Sequence, residues 1–309
     1  MMHCAFNIDS KYIQHCAVTL VSLFENNKEE AISIHIIARE LTNNDKQILR
    51  DLTHRYHQEI FFYEPDMKLL EGFNIRKFSK RISIATYYRC ILSVILPETI
   101  HKVIYLDCDI VIMDSILPMW ETDLNGVGVA AVEDMGCREP ERYEVLKYPM
   151  EYSYFNAGVL LINLDFWREH NIAQACVDYF HMYPERILYN DQDLLNSILY
   201  KDKILIDIKW NVQDAFYRSA SQIFKERKKS HIDALLHPVI LHYTNRKPWS
   251  YDSQHPLRNK YFYYLDFTPW KGERSLDKPI NRIKRFLRLL PFYLKIRKVK
   301  YMKLNKINL

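Results

Sequence analysis

Residues 103–109 read Val-Ile-Tyr-Leu-Asp-Cys-Asp, a short apolar run that ends in two acids separated by one position. An apolar run of this length is typical of a buried strand, in which alternate side chains point to the same face. Asp107 and Asp109 then share one face, and Cys108 points to the opposite face, into the core. Two carboxylates this close repel each other unless a cation lies between them. The pattern therefore predicts a divalent metal that holds a phosphate-bearing ligand at the carboxyl end of an α/β strand.

Strand patterns and helix patterns alternate on both sides of this stretch. Thr42 and Asp45 form a capping-box pair at the start of one helix, and Ser83 is the predicted cap of a helix whose apolar face runs from Ile84 to Ile95. Alternation of this kind predicts an α/β domain with a largely parallel sheet. The predicted strands cover 3–8, 32–38, 59–63, 103–106, 128–132, 155–164, 204–208 and 239–241, and the predicted helices cover 11–26, 84–95, 165–183 and 190–199.

Composition excludes several classes of protein. The 309 residues are 48% apolar, which supports a large core. Only six residues are glycine, and the sequence contains neither a G-x-G-x-x-G motif nor a P-loop motif. The six cysteines are scattered without a C-x-x-C pair, which indicates buried, reduced thiols and not disulfides or a zinc site. No long apolar run and no signal peptide are found, so we expect a cytoplasmic protein without a membrane span.

Positive charge is concentrated at the end of the chain. Ten of the 43 Lys and Arg residues and none of the 38 acids lie in the last 30 residues, so the rest of the chain has a net charge of −5. Ile283, Phe286, Leu287 and Leu290 would share one face of a helix there, and Pro291 would end that helix. This pattern favours attachment to an anionic membrane surface, and the alternative is a helix packed on the acidic body. No nucleic acid is expected as a partner, because no known binding fold accompanies the basic residues.

Five motifs occur in order along the chain: SIATYYR at 83–89, LDCD at 106–109, FNAGVLLINL at 155–164, NDQD at 190–193, and His242-Tyr243 followed by Lys247-Pro248-Trp249. Together they resemble the glycosyltransferase family 8 enzymes, retaining transferases that use nucleotide sugars, and most of all the bacterial lipopolysaccharide galactosyl- and glucosyltransferases. The resemblance covers residues 3–265. It implies a GT-A type, Rossmann-like nucleotide-sugar-binding domain with a mixed, mostly parallel sheet over residues 1–265. A basic, helical, amphipathic extension then occupies residues 266–309.

The resemblance implies a UDP-sugar donor that is held with Mn²⁺ by Asp107, Asp109 and His242, with Mg²⁺ as the alternative ion. The chemistry agrees, because carboxylates and imidazole suit Mn²⁺ better than Ca²⁺. Lys247 matches the family's lysine beside the diphosphate, where it would stabilise the charge that develops on the leaving group. The family usually has a glycine between the His-Tyr and Lys-Pro-Trp motifs. This chain has none there, and Asn245 is expected to supply the positive φ that a close backbone approach requires.

The resemblance also assigns residues to the nucleotide and to the sugar. Asp9 matches the position that recognises the uridine of the donor, and Arg89 matches an arginine that contacts the donor. The alternative is that Arg89 is an ordinary helix residue exposed to solvent. Asn156 and Ala157 match residues that line the sugar site. Asp134 matches an acid near the donor sugar, with the neighbouring Glu133 as the alternative.

Asp191 and Gln192 match the pair that lies under the donor sugar. Asp191 would bond to sugar hydroxyls, and Gln192 would lie near the anomeric carbon, opposite the diphosphate. Because an amide is a poor nucleophile, we favour front-side attack, in which the departing phosphate oxygen accepts the acceptor's proton, over a covalent intermediate. Asp193 is interpreted as an ordinary acid of the first helical turn, favoured by the helix dipole.

The sequence therefore predicts a retaining hexosyltransferase that is peripherally bound to the inner face of the cell membrane. It would transfer glucose or galactose, from UDP-glucose or UDP-galactose, to lipopolysaccharide or another cell-surface glycan. One alternative is a phosphohydrolase with Asp107 as nucleophile, although no later G-D-x-x-x-D pattern follows. The other is a non-catalytic nucleotide- or glycan-binding module, against which the intact Asp191-Gln192 pair argues.

Overall fold

The computed structural model describes residues 1–71, 73, 84–218, 228–298, 301, 302 and 304. Ser83, the predicted helix cap, lies outside the described residues. The chain divides into two compact units. The first unit comprises Met1–Ile13, Lys28–Cys108 and Ile116–Asp207, and the second comprises Gln14–Asn27, Asp109–Ser115 and Ile208–Leu309. The predicted boundary between residues 265 and 266 falls inside the second unit and stays a prediction.

The strands of the described residues form one sheet in each unit. The first unit contains a seven-stranded sheet in the order β3-β2-β1-β4-β7-β6-β8, and the second contains a three-stranded sheet in the order β5-β10-β9. These strands are β1 (Met2–Ile8), β2 (Ile32–Ala38), β3 (Glu59–Tyr63), β4 (Lys102–Leu106), β5 (Ile110–Ile112), β6 (Val129–Glu133), β7 (Phe155–Asn163), β8 (Lys203–Leu205), β9 (Val212–Gln213) and β10 (Ile240–His242).

The large sheet is mixed and mostly parallel, as predicted. β1 pairs in parallel with β2 and β4, β2 with β3, and β6 with β8, whereas β7 runs antiparallel to β4 and β6. All seven residues of β2 are buried, which is typical of a strand that is covered on both faces. The parallel strands β1 and β4 bring their carboxyl ends to one edge of the sheet, where Asp9 and Asp107 follow them.

Most predicted helices are present, and two differ in their construction. Residues 165–183 form two helices and not one, because Asn171 adopts a φ of 50° and interrupts the hydrogen-bond ladder. Residues 84–95 begin as a 3-10 helix, Ile84–Ile91, and end as a short α-helix. The predicted Thr42–Asp45 capping box is confirmed. The α-helices within the described residues are α1 (Ile13–Glu25), α2 (Asn43–Arg55), α3 (Leu92–Ile95), α4 (Leu117–Trp120), α5 (Pro140–Leu146), α6 (Leu164–Glu169), α7 (Ile172–Met182), α8 (Asp191–Leu199), α9 (Lys228–Leu236), α10 (Arg258–Leu265) and α11 (Pro279–Tyr293).

The small sheet of the second unit was only partly predicted. β10 lies close to its expected position, and it pairs antiparallel with β5 and parallel with β9. β5 and β9 were missed because they are three and two residues long, too short to show a strand pattern of their own. Pairing across the chain, and not local sequence, makes these segments extended.

The core of the first unit is apolar, with aromatic side chains at its centre. Tyr87, Tyr105 and Trp167 are completely buried in it, and the Trp167 indole N–H donates to the Gly128 carbonyl at 2.9 Å. All six cysteines are buried, as predicted, and no disulfide joins them. Cys108, which lies between Asp107 and Asp109 in the sequence, is also buried, although β4 ends at Leu106 and Cys108 lies in the turn that follows.

The basic tail forms α11 in the second unit. The prediction that Pro291 ends this helix was wrong, because the helix continues to Tyr293. Pro291 lies in the last turn, where the loss of one backbone donor interrupts little of the remaining ladder. Among the described residues, no helix is long and apolar enough to cross a bilayer.

Candidate active site

Asp107 follows β4 and lies against a buried arginine. Its Oδ1 accepts hydrogen bonds from Arg89 Nη2 at 2.7 Å and from the Tyr105 hydroxyl at 2.8 Å. Its backbone N–H donates to the Gly158 carbonyl on β7 at 2.9 Å. The pairing of β4 with β7 therefore fixes the point at which Asp107 leaves the sheet.

Arg89 connects two of the predicted acids and is only 7% exposed, so the interpretation as a solvated helix residue was wrong. Besides contacting Asp107, its Nε lies 3.0 Å from Asp191 Oδ2. Its Nη1 donates to the Ala157 carbonyl at 2.6 Å, and its guanidinium lies 4.4 Å from the centre of the Tyr105 ring. Arg89 thus organises carboxylates from β4 and α8 around one cation, and its contact with a donor stays a prediction.

Asp191 is the first residue of α8 and is almost completely buried. Its Oδ1 accepts a short hydrogen bond from the Thr86 hydroxyl, and its Oδ2 faces Arg89. Burial raises the pKa of Asp191 to about 6, although Arg89 and the Thr86 hydroxyl act in the opposite direction. A carboxyl group with this pKa changes its charge in the mildly acidic range.

Gln192 is held by the first residues of β7. Its Oε1 accepts hydrogen bonds from Ala157 N at 3.0 Å and from Asn156 Nδ2 at 3.1 Å. Its Nε2 lies 3.3 Å from Asp134 Oδ2. Four residues that the sequence assigned to the sugar site therefore form one hydrogen-bonded network in the first unit.

The two neighbouring acids at the end of β6 differ in their surroundings. Glu133 is buried and accepts a hydrogen bond from the Ser153 hydroxyl at 2.8 Å. Asp134 instead accepts from Asn156 Nδ2 at 2.9 Å, on the side of Gln192. Alternation along the chain thus brings Asp134, and not Glu133, to the network.

Asp9 lies at the end of β1 and caps the 3-10 helix Ser10–Tyr12. Its Oδ1 accepts a hydrogen bond from Lys11 N at 3.0 Å. The side chain is thereby fixed at the carboxyl edge of the large sheet. Its role in reading uridine stays a prediction.

In the second unit, Asp109 meets His242 and Lys247. Asp109 Oδ1 lies 3.2 Å from His242 Nε2, and Oδ2 makes a short contact with Lys247 Nζ, which also donates to the Tyr243 carbonyl at 2.8 Å. The register of β5 with β10 sets this geometry, because it pairs Ile110 with His242. Burial raises the pKa of the Asp109 carboxyl, but Lys247 and His242 lower it by more, so it lies well below its usual range.

The orientation of His242 suits a metal ligand. Its Nδ1 lies 2.9 Å from Asn211 Oδ1, so this nitrogen is assigned the hydrogen and donates it. Nε2 faces Asp109 Oδ1, so it can donate to this oxygen when it carries a proton and can offer its lone pair to a metal ion when it does not. A lone pair and a carboxylate that face each other need a proton or a cation between them. A histidine that donates its other ring N–H to an oxygen is also the usual arrangement in metal sites.

Asp107, Asp109 and His242 are the predicted metal ligands. Asp109 and His242 meet within the second unit, and only Cys108 separates Asp107 from Asp109 along the chain. Two carboxylates and an imidazole are donors that suit a divalent transition metal. The predicted ligand set is therefore chemically fit for the ion, whose identity belongs to the proposals below.

The segment between the His-Tyr and Lys-Pro-Trp motifs departs from expectation. Asn245 is not among the described residues that have a positive φ, so the expectation that it replaces the family's glycine in this conformation was wrong. The adjacent Arg246 pairs with Asp252 at 3.2 Å. Trp249 stacks on the ring of His15 with centroids 3.5 Å apart, and this contact anchors the end of the segment that carries Lys247.

Several side chains that support the site were not predicted. Thr86, Tyr105 and Asn211 each bond directly to a predicted site residue. Thr86 lies inside the SIATYYR motif, so its place in that motif was the signal for it. Asn211 lies 31 residues before His242, and nothing local in the sequence indicates their contact.

The fold of the chain is of the GT-A type. The crystal structure of the galactosyltransferase LgtC, in complex with donor and acceptor sugar analogs, matches with a TM-score of 0.78. The match covers 87% of this chain and 96% of that chain at 24% identity, and it supports the fold alone. The bifunctional glycosyltransferase WbbM matches with a TM-score of 0.71, over 92% of this chain and 51% of that chain, at 18% identity.

The family model described as glycosyl transferase family 8 matches residues 3–253. General stress protein A of Bacillus subtilis is 30% identical over 87% of this chain and 95% of its own length. The lipopolysaccharide 1,3-galactosyltransferase of Salmonella typhimurium is 29% identical over 86% of this chain and 78% of its own length. The chain belongs to glycosyl transferase family 8 and is a hexosyltransferase. The family implies a nucleotide-sugar donor and a glycan acceptor.

Proposed function

We propose that this protein transfers glucose or galactose from a UDP-sugar to lipopolysaccharide or a related cell-surface glycolipid, with retention of configuration. The observation that carries the proposal is the buried group in which Asp109 meets His242 and Lys247. A carboxylate, an imidazole and an ammonium group at one point suit a metal-bound diphosphate. Relatives described as lipopolysaccharide 1,3-galactosyltransferase and lipopolysaccharide 1,2-glucosyltransferase support the choice of sugars and acceptor.

In this proposal, Asp107, Asp109 and His242 hold Mn²⁺, with Mg²⁺ as the alternative. When bound, the ion supplies Lewis-acid stabilisation to the leaving diphosphate. Lys247 is placed to add positive charge as the bond to the sugar breaks, because its Nζ already lies against Asp109. Asp9 recognises the uridine at the edge of the large sheet. Residues 1–265 form the catalytic domain.

The sugar is proposed to lie over the network of the first unit. Both lone pairs of Gln192 Oε1 are engaged by Asn156 and Ala157, which leaves this amide poorly suited to covalent attack. Asp134 and Asp191 are placed to accept hydrogen bonds from sugar hydroxyls. We therefore favour front-side attack, in which the departing phosphate oxygen takes the proton of the acceptor hydroxyl and the protein positions both substrates.

The proposed reaction is tested by incubating the protein with Mn²⁺, a lipopolysaccharide core acceptor and a panel of UDP-sugars. We expect transfer from UDP-glucose or UDP-galactose, detected by mass spectrometry, and an α-linked product, detected by NMR. Boiled protein and a donor-free reaction serve as controls. A β-linked product would exclude retention, and hydrolysis of a generic aryl phosphate without sugar transfer would favour the phosphohydrolase alternative.

We also propose that α11 attaches the protein to an anionic membrane surface at the inner face of the cell membrane. Phe286 and Leu287 are 56% and 61% exposed, and basic side chains surround them. The opposite side of the helix is docked within the second unit, where Leu289 is buried, Arg285 donates to the Ser253 carbonyl at 3.0 Å and Arg288 pairs with Asp252 at 2.9 Å. The helix thus has one side for the protein body and an apolar, basic side that faces solvent.

Replacing Phe286 and Leu287 together with serine should weaken binding to phosphatidylglycerol vesicles by at least about tenfold, because burying each side chain contributes roughly 1.5–3 kcal/mol. Vesicle co-sedimentation measures this loss, and UDP-sugar hydrolysis should be unchanged. Tyr263→Ser is the control, since Tyr263 is 58% exposed on α10, outside the tail. Equal binding by the double variant and the wild-type protein would refute the membrane attachment.

A further inference from the structure

Asp193 is completely buried, so its interpretation as an ordinary first-turn acid does not describe it. Its Oδ1 accepts hydrogen bonds from the Tyr154 hydroxyl at 2.7 Å and from Arg142 Nε at 2.9 Å. Its Oδ2 accepts from the backbone N–H groups of Leu188 and Tyr189 at 2.7 and 2.5 Å. A carboxylate with this many donors is fixed in place and tightly holds the chain segment that precedes α8.

Arg142 supplies the charge that permits this burial. It lies on α5, and its side chain is 6% exposed. It contacts both oxygens of Asp193 and also donates Nη2 to the Arg186 carbonyl at 3.2 Å. An ionised carboxylate without access to water is strongly disfavoured unless a cation pairs with it. The location of Asp193 therefore depends on Arg142, a residue 51 positions away in the sequence.

The backbone that this pair holds is strained at Asn190. Asn190 has a φ of 49° and a ψ of −124°, a combination that residues other than glycine rarely adopt. Its side chain does not cap α8, and its Oδ1 instead accepts a hydrogen bond from the Tyr87 hydroxyl at 3.1 Å. Such a conformation persists only where the surroundings fix the chain on both sides. Asp193 does so for the preceding side, through Leu188 and Tyr189.

We infer that Arg142 is a positioning residue, which acts through Asp193 to hold the strained turn at Asn190 and thereby directs Asp191 and Gln192. These two residues follow Asn190 immediately, so any rotation of its backbone displaces both. The contact of Gln192 Oε1 with the backbone of β7 is 3.0 Å long, and a shift of about 1 Å would break it. The inference rests on the proposed function, because it takes Asp191 and Gln192 as the groups beneath the donor sugar.

The test is the variant Arg142→Met, compared with the wild-type protein in the Mn²⁺-dependent transfer reaction. We expect kcat to fall about 100-fold, the scale of a misplacement of about 1 Å, with little change in the KM for the UDP-sugar. Arg142→Lys keeps a cation beside Asp193 and should recover part of the lost kcat. Hydrogen exchange at the Leu188 and Tyr189 amides should accelerate in Arg142→Met, and this measurement requires no activity.

Arg168→Met is the matched control. Arg168 is also a partly buried arginine that bonds to backbone carbonyls, at 2.9 Å to Ile100 and 3.0 Å to Pro97, but it anchors α6 away from the site. Its loss should lower the melting temperature without a comparable loss of kcat. Should Arg142→Met fail to fold, Tyr154→Phe removes one hydrogen bond from Asp193 without leaving a charge unpaired, and should lower kcat in the same direction.

Two outcomes would overturn the inference. One is a loss of kcat in Arg142→Met that is no larger than in Arg168→Met, and the other is unchanged hydrogen exchange at residues 188 and 189. The proposed function fails separately, when the wild-type protein transfers no sugar. In that case, the exchange measurement still shows whether Arg142 holds the turn.

Discussion

Replacing Asp109 with alanine or asparagine should abolish metal-dependent binding of UDP and lower sugar transfer by about 1,000-fold or more. Asp109 is buried, and its two oxygens face His242 and Lys247. The asparagine variant keeps the size of the side chain but removes the negative charge and one strong ligand atom. Without that charge, Lys247 and a divalent cation would repel each other. Calorimetric titration of UDP with and without Mn²⁺ measures the effect directly.

Asp114→Asn is the control for this variant. Asp114 lies five residues further along the chain, and its Oδ1 accepts from Ser115 N at 2.7 Å in an exposed position. The substitution removes the same charge away from the site and should leave UDP binding unchanged. Metal-dependent UDP affinity that is equal in the Asp109 variants and in the wild-type protein would contradict the assignment of the metal site.

Replacing Asp191 with asparagine should lower kcat by about 100-fold, with a smaller effect on UDP binding. Asp191 is the shared partner of Arg89 and Thr86, so the substitution loosens the guanidinium that also holds Asp107. In the proposed complex, it also removes the acceptor for a hydroxyl of the donor sugar. Because the asparagine side chain has nearly the same shape, a loss of kcat reports on charge and hydrogen bonding, not on packing.

The pH dependence of sugar transfer is a second test of the role of Asp191. Its pKa is about 6, so its carboxyl is neutral below that pH and ionised above it. The ion pair with Arg89 requires the ionised form. The rate should therefore rise as the pH increases through about 6, and this part of the profile should disappear in Asp191→Asn.

Asp178→Asn is the matched control for the Asp191 substitution. Asp178 is an exposed acid on α7 that accepts from Gln174 Nε2 at 2.8 Å. Its substitution should change neither kcat nor the pH profile. If Asp191→Asn retained the wild-type kcat and the same rise in rate near pH 6, Asp191 would have no part in the reaction.

The sequence alone determined the α/β class and most of the large sheet. β1, β2 and β4 were predictable because each is a short apolar run bounded by polar residues, and burial on both faces leaves that pattern in the sequence itself. β3 is an edge strand that is only partly buried, and its short apolar run was enough to predict it. The capping box at Thr42 was predictable for a similar reason, since its partner lies three residues away. The burial of Cys108 was predicted from strand alternation, but the strand ends at Leu106, so alternation does not explain it.

The candidate site was also located by sequence, but through motifs and not through geometry. Asp107 lies far along the chain from the adjacent residues Asp191 and Gln192, and only their place in an ordered set of motifs suggested a common purpose. The physical link between Asp107 and Asp191 is Arg89, whose burial no local pattern indicated. A charged residue on a short helix looks solvated until the acids that pair with it are known.

Only the tertiary structure decided the features that depend on contacts between distant segments. β5 and β9 are too short to be recognised and exist because β10 pairs with both. The proton assignment of His242 depends on Asn211, and the burial of Asp193 depends on Arg142. Local sequence records burial and capping, because those arise within a few residues. The partner of a buried charge is chosen by the folded chain, so its identity appears only in the structure.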